Sequence, residues 1–392
     1  MKPVYIVEGA RTPFGTFGGA LKDVDPTELG VTASKEALHR SGISAGHIDL
    51  TVIGNVIHSS QNAPYLARHI ALKSGVPANS PALAVNRLCG SGLQSVVSAA
   101  QSIQLGEGET ALAGGVDSMS LAPYAMRGSR FGTKLGTPKI DDMLWAALTD
   151  EYIGAGMGVT GENLADKYEI SREQQDEYAT RSHKLAAEAR QSGKFQAEIA
   201  PVEIKTRKGT KVIDQDEHIR EDTTKEALAK LNPAFKKNGT VTGGNASGIN
   251  DGAGAVVLAN EDFIRDHNIQ PLAKILSWSV AGVDPEYMGI GPAPAIRQAL
   301  EKAELTLDDM DLIEVNEAFA SQYLAVEKEL GLDRDQVNVN GGAIALGHPI
   351  GASGTRVLYT MVQELKRRGG RYGVASLCIG GGQGIAMVVG AQ

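Results

Sequence analysis

The chain carries one stretch of itself twice. Residues 35–50 and 297–312 align without a gap at an offset of 262: Ala37-Leu38 falls on Ala299-Leu300, and Asp49-Leu50 on Asp311-Leu312. The same offset places Ser91-Gly92 on Ser353-Gly354, and with four residues inserted Gly114-Gly115 falls on Gly380-Gly381. Matches in this order point to a duplicated half-domain. A long unit occurring only twice is no solenoid, whose short units stack in series. At 392 residues the chain has room for two such halves and an insert.

Each copy alternates strand and helix. Residues 81–85 form a short apolar run, and a helical pattern follows with Leu93, Val96, Val97, Ala100 and Ile103 on one face, stopped by Gly106. In the second copy residues 337–340 are the expected strand. Its helix carries Val357, Leu358, Met361, Val362 and Leu365 on one face and ends at Gly369-Gly370. Strand–loop–helix units in series predict an α/β fold with mainly parallel sheets. Residues 372–379 and 385–389 read as two further strands around a glycine turn. The division is residues 1–120 for the first half, 121–270 for a polar insert and 271–392 for the second half. Within the insert, Ser171 and Gln174 make a capping box that opens an amphipathic helix closed by Gly193. Residues 201–240 hold 9 Lys or Arg against 7 Asp or Glu, a locally basic stretch that is either a solvated face or a seat for an anionic ligand.

Composition narrows the function. A net charge of −8 without a basic block speaks against nucleic-acid binding. No run approaches the roughly 18 apolar residues of a membrane span. Glu8 interrupts the first apolar run, so no signal peptide is expected, and the last residues carry no peroxisomal or lipidation address. Two cysteines cannot build a disulfide framework, and a reducing, cytoplasmic compartment is expected. Glycine stands out at 47 residues, clustered at turns, as tight backbone around a site requires.

The chemistry-bearing residues sit at those turns. Cys89 lies where a strand gives way to a helix, and a helix N-terminus favours a thiolate. A lone cysteine is otherwise a small hydrophobe. His348 lies in the glycine-rich stretch 340–354, pinned by Pro349, and aligns with Asn86, three residues before Cys89. If the two halves pack face to face, these equivalent turns meet and form a Cys–His pair suited to nucleophilic catalysis. Cys378 precedes a glycine run. No CxxC or HxxxH spacing supports a metal-ligand role for it, and as a proton donor and acceptor it is matched to chemistry at a carbon acid or another thiol. Asn316 ends the strand that begins near Leu312, as a turn residue or as a fixed dipole orienting a water or an oxyanion. Residues 154–158 lack the third glycine of GxGxxG and no GxxxxGK[ST] exists, so nucleotide cofactor chemistry is unsupported.

Together, Asn86-Arg-Leu-Cys-Gly-Ser-Gly92, Asn316-Glu-Ala-Phe319, Gly347-His-Pro349 and Cys378-Ile-Gly-Gly-Gly382 resemble the thiolases, from Arg11 to the C-terminus. The resemblance implies two pseudo-symmetric α/β halves forming a five-layered αβαβα core, with an inserted loop domain whose last stretch returns to the first half. It implies that Cys89 takes the acyl group, that His348 takes the Cys89 proton, and that Cys378 is the acid/base. Asn316 would hold a water of one oxyanion hole, and the backbone N–H groups of Cys89 and Gly380 would form the other. The insert would bind CoA, with Arg220 near the nucleotide end and Ser247 near the pantetheine, while Met157 and Phe319 line the acyl pocket. CoA is then a substrate, acetyl-CoA and 3-ketoacyl-CoA are the ligands, no cofactor or metal is needed, and a homodimer or homotetramer is expected.

One departure bears on substrate. Acetoacetyl-specific relatives carry His before the Met-Gly pair, whereas Gly156 stands here; Arg87-Leu88 and residues 239–248 look closer to mitochondrial-type 3-ketoacyl-CoA thiolases. Rival readings are a decarboxylating ketoacyl synthase, which resembles this chain in Cys and His but lacks the thiol of Cys378, and a non-catalytic CoA-binding relative.

Overall fold

Most strands of the two halves bury both faces, and the two faces belong to different cores. In the computed structural model, which describes residues 2–133, 135–207 and 209–392, nine of these strands run side by side. They are β1 (Val4–Arg11), β2 (Leu50–Gly54), β3 (Ala82–Val85), β4 (Thr110–Ser118), β5 (Asn250–Asn260), β6 (Ala273–Gly282), β7 (Leu312–Val315), β8 (Tyr372–Ile379) and β9 (Gln383–Ala391), in the order β7-β8-β9-β6-β1-β5-β4-β2-β3. The halves join where β1 meets β6 at only two paired positions, Tyr5 with Lys274 and Ile6 with Ala273.

The duplication survives in the register. Leu50 pairs with Ala111, and 262 residues later Leu312 pairs with Gly373. Asp49 accepts the backbone N–H groups of Glu109 and Thr110 at 2.7 and 3.1 Å; Asp311 accepts those of Arg371 and Tyr372 at 2.6 and 3.0 Å. This register corrects one match made on sequence. No insertion separates the copies here, so Gly114-Gly115 corresponds to Ser376-Leu377 within a strand, and Gly380-Gly381 lies in the turn beyond it. The strand expected at 337–340 shrinks to a single bridge between Val337 and Ile313. Asn338 replaces the ladder: its side chain accepts from Val315 N–H at 2.9 Å and donates to Val315 C=O at 2.8 Å.

The sheet is not mainly parallel. Only β2–β3, β2–β4 and β7–β8 pair in parallel; the centre, from β4 through β5, β1, β6 and β9 to β8, is antiparallel. The parallel pairs are those joined through crossover helices, as such pairs must be.

Eight helices position the site: α1 (Pro26–Ser41), α2 (Leu66–Lys73), α3 (Ser91–Leu105), α4 (Met157–Lys167), α5 (Arg172–Gln191), α6 (Pro292–Ala303), α7 (Ala320–Leu330) and α8 (Ile350–Arg368). Alternate strand residues separate the layers. Ala111, Ala113, Ala375 and Leu377 share a core with α3 and α8, which therefore lie between the two halves of the sheet. Leu112 and Val116 face α1 and α2, and Val374 faces α6 and α7. The result is five layers with α3 and α8 in the middle. The sequence suggests one apolar face for α8, but fifteen of its residues are buried because sheet lies on both sides. Two of its buried polar side chains find partners inside: Tyr359 donates to Glu8 at 2.6 Å and Thr360 to Glu198 at 2.8 Å. The capping box of Ser171 and Gln174 forms as expected, and α5 ends just before Gly193. Among the described residues no helix is long and apolar enough to cross a membrane.

Candidate active site

The two middle helices start at the same place. Cys89 stands one residue before the cap of α3, and His348 two residues before α8. Their first turns touch backbone to backbone: a Cβ on Gly92 would lie 2.8 Å from the Gly351 carbonyl, and Thr355 Oγ1 donates to the Gly92 carbonyl at 3.2 Å. Any larger residue at Gly92 would force the turns apart. The equivalent turns of the repeat therefore meet, and Cys89 and His348 line one cavity of about 280 Å³.

Leu88 adopts φ 46°, a left-handed conformation costly for a residue with a Cβ, and so delivers Cys89 on a sharp bend. The bend also consumes nearby donors: Gly90 N–H bonds the Arg87 carbonyl at 3.0 Å and Ser91 N–H the Leu88 carbonyl at 2.9 Å. The thiolate expected from the helix start is consequently not preformed. Burial pushes the Cys89 thiol up to about 11; the N–H groups of Gly380 and of Cys89 itself act on its sulfur in the opposite sense, and the Asp117 carboxylate adds to the rise.

His348 is held from three sides. Its backbone N–H donates to Asn250 Oδ1 at 3.0 Å, its Nδ1 lies 2.5 Å from Ser353 Oγ, and its Nε2 lies 3.4 Å from Asn316 Nδ2. Because Ser353 Oγ donates to the Pro349 carbonyl at 2.9 Å, it accepts from Nδ1–H, which leaves Nε2 with its lone pair. Burial, then the Arg356 charge, holds the imidazole down at about 3, so it is neutral at neutral pH and free to accept a proton. Asn316 follows β7, is fully buried, and its Oδ1 has no hydrogen-bond partner among the described residues.

Cys378 lies near the end of β8, fully buried in an apolar cluster with Ala246, Met288, Ala318 and Phe319. Burial, reinforced by the charge of a Cys89 thiolate, raises its thiol well above the ordinary range. Gly380 faces the same space: a Cβ there would meet Met157 Sδ at 3.2 Å and Leu88 Cδ1 at 3.3 Å. Met157, Phe319 and Ser247 line the cavity with Cys89 and His348; Ser247 N–H is anchored on the Ala318 carbonyl at 2.9 Å. Arg220 stands apart. It is exposed, does not line the cavity, and its N–H is held by His183 Nδ1 at 3.1 Å.

Several residues of the site escape sequence reasoning. Leu144, Trp145 and Leu148 form an apolar wall from a segment that reads as polar insert, joined by Met119 from the end of the first half. Phe235 packs edge-on against Phe319 at 6.1 Å, in space left by Gly158. Asn250 carries no motif of its own. Ser353 had a signal, being the repeat partner of Ser91. Among the described residues no group of three His, Cys, Asp or Glu side chains could hold a metal ion.

The family model for the thiolase N-terminal domain matches residues 4–262, and that for the thiolase C-terminal domain matches residues 269–391. The chain is 54% identical to a mitochondrial 3-ketoacyl-CoA thiolase of Homo sapiens over 390 residues, 99% of this chain and 98% of that protein. It is 50% identical to an acetyl-CoA acetyltransferase of Syntrophomonas wolfei, with 99% of each covered. A crystal structure of the human mitochondrial 3-ketoacyl-CoA thiolase in complex with CoA superimposes with a TM-score of 0.97 at 53% identity, covering 100% of this chain and 98% of that one. The cytoplasmic compartment expected from the cysteines does not stand. The human relative and one from Bos taurus are mitochondrial by name, which is at odds with that expectation. Unpaired thiols report a reducing compartment, not which one.

Proposed function

This chain belongs to the thiolase family and is an acyltransferase, and from that premise we propose that it moves acyl groups between CoA thioesters through an acyl-Cys89 intermediate. The reaction is acetoacetyl-CoA plus CoA to two acetyl-CoA, and the reverse Claisen condensation. One observation carries the reading: a neutral, lone-pair-bearing His348 Nε2 and the Cys89 thiol line one cavity, with the Gly380 and Cys89 N–H groups bearing on the sulfur.

The thiol gives its proton to Nε2 as Sγ attacks the acyl carbonyl, so charge separates only during the attack. The thioester oxygen then lies against the Cys89 and Gly380 N–H groups. Asn316, by way of a water, and His348 stabilise the other oxyanion; each such donor is worth about 3 kcal/mol. Cys378 moves the proton between the acetyl-CoA methyl and the CoA thiol. CoA is a substrate and supplies the thiol. The insert, residues 121–270, seats it, with Ser247 at the cavity and the basic stretch around Arg220 towards the phosphates.

A second reading is turnover of longer 3-ketoacyl-CoA chains. It is favoured by Gly156, where the nearest atom to an added Cβ is the Leu148 carbonyl at 3.6 Å, beside the apolar wall. We further infer a homodimer or homotetramer, supported by the open edge of β3 with Leu83 53% exposed beside Leu105 at 78%.

Intact-mass measurement after mixing with acetyl-CoA tests the mechanism: an added acetyl group on Cys89 is expected, and none in wild-type protein overturns it. Thiolysis rates across 3-ketoacyl-CoA chain lengths decide between the substrate readings. Light scattering at micromolar concentration tests assembly, where a monomeric mass near 41.2 kDa refutes it.

A further inference from the structure

The repeat supplies an internal control for one residue the mechanism leaves unused. Asp117, in β4, corresponds at the 262-residue offset to Ile379 in β8. Each sits under the first turn of a middle helix. A Cβ on Gly90, the cap of α3, would meet Ile379 Cδ1 at 2.6 Å; a Cβ on Gly351, in the first turn of α8, would meet Asp117 Oδ2 at 2.7 Å. The position beneath the cysteine helix is thus apolar, and the one beneath the histidine helix is a fully buried carboxylate. A buried charge is costly unless its hydrogen bonds are supplied. Four donors face it: Oδ2 accepts Gly351 N–H at 2.6 Å, and Oδ1 accepts Asn55 Nδ2 at 3.0 Å, Ile57 N–H at 3.0 Å and Val56 N–H at 3.3 Å, although burial still outweighs them and pushes the carboxyl up to about 7.

These donors come from segments that converge on the thiol. Ile57 and Val56 pack with Cys89 and Ile350 in one apolar cluster. Asn55 also bonds the Val116 carbonyl at 3.0 Å, so the clamp is tied into β4. The other carboxylate nearby, Asp251 on the adjacent strand, is engaged elsewhere, by Ser120 N–H at 2.8 Å and Ser120 Oγ at 2.6 Å.

Resting on the acyl-transfer reading above, we propose that Asp117 is a positioning residue that locks the first turn of α8, and with it the His348 imidazole, against the floor beneath Cys89. Asp117→Asn keeps the shape but turns one acceptor into a donor, so at least one of the four bonds is lost. The acylation rate constant at Cys89 is expected to fall roughly tenfold or more, with the KM for acetyl-CoA unchanged, because positioning rather than binding is lost. Removing the anion should at the same time move Cys89 alkylation to lower pH. A purely structural role predicts neither this split nor a more easily ionised thiol in a slower protein. A folded Asp117→Asn protein with an acylation rate within about twofold of wild type overturns the proposal. Should that variant not fold, Asn55→Ala decides: kcat is expected to fall at constant KM, and an unchanged kcat refutes the clamp. Wild type is measured in parallel; if it forms no acyl-enzyme, the acyl-transfer reading itself fails and this proposal with it.

Discussion

Gly354 presses its Cα so closely on Leu93 that an added Cβ would stand 2.2 Å from the Leu93 backbone nitrogen. The repeat partners Gly92 and Gly354 each meet the opposite helix in this way, and the meeting point sets the distance between the thiol and the imidazole. Gly354→Ala should therefore separate α3 from α8. Overpacking of this kind costs about 3 kcal/mol or more, because backbone rather than a flexible tip must move. Urea unfolding should show that loss, and activity should fall with it.

Ser353 fixes which imidazole nitrogen carries the proton. Ser353→Ala removes the acceptor for Nδ1–H and releases the tautomer and ring. A net hydrogen-bond loss of ~1 kcal/mol corresponds to about fivefold slower acylation, with little change in thermal stability. Rapid-quench measurement of acyl-enzyme formation checks it.

Cys89 should titrate late. With its thiol pushed up to about 11 by burial, alkylation of the free protein should keep accelerating as pH rises well past 9, and Cys378, raised further, should be labelled after it. A plateau in the Cys89 alkylation rate near neutral pH would show a preformed thiolate and contradict the neutral pair.

What was legible in the sequence was whatever depends on local pattern or on the duplication: α3 and its glycine stop, the Ser171 capping box, the β8–β9 hairpin and the meeting of Cys89 with His348. What was hidden depends on through-space packing. The antiparallel centre of the sheet arises from strands far apart in sequence, such as β1 and β5. Residues 337–340 lost their strand to the Asn338 side chain, which no periodicity reveals. The thiol was misjudged because a helix start lowers its pKa locally, while burial in the assembled core raises it more. Leu144, Trp145 and Leu148 hid in a polar insert because they serve a cavity rather than a core.

Acid should weaken the fold through histidines. Burial holds His348 at about 3 and both His183 and His218 at about 4, against 6.5 when unconstrained. As pH falls from about 6.5 towards 3–4 the unfolded chain takes up these protons and the folded one does not, so the histidines' share of stability, present above 6.5, is lost across that window, while Asp117 and Glu314, raised by burial to about 7 and about 8, pull the other way. His348→Asn should flatten part of the decline. Urea titrations at neutral and mildly acid pH compare the slopes, and an identical slope in the variant would remove His348 from the account.

Gly156→His should trim the substrate range. The side chain would enter the open space beside Leu148 and narrow the apolar end of the cavity. Loss of room for one or two methylenes is worth roughly 10–200-fold in discrimination. Thiolysis of longer 3-ketoacyl-CoA should fall by such a factor while acetoacetyl-CoA is retained. Equal losses on both would mean that Gly156 does not face the acyl chain.

The two thiols should part company under serine substitution. Cys378→Ser should still acylate Cys89 but lose most turnover. A hydroxyl has similar reach but a far higher pKa than the ~8.5 of a free thiol, so it shuttles protons poorly near neutral pH. Cys89→Ser should abolish acylation and turnover together, because the covalent step disappears. The surroundings differ in the same sense: the sulfur of Cys89 has the Gly380 and Cys89 N–H groups directed at it and a share of open cavity, whereas Cys378 is closed in by Ala246, Met288, Ala318 and Phe319. Rapid-quench detection of the acyl-enzyme in both variants decides the matter. Acylation of Cys89→Ser, with none in Cys378→Ser, would make Cys378 the nucleophile and reverse the two roles.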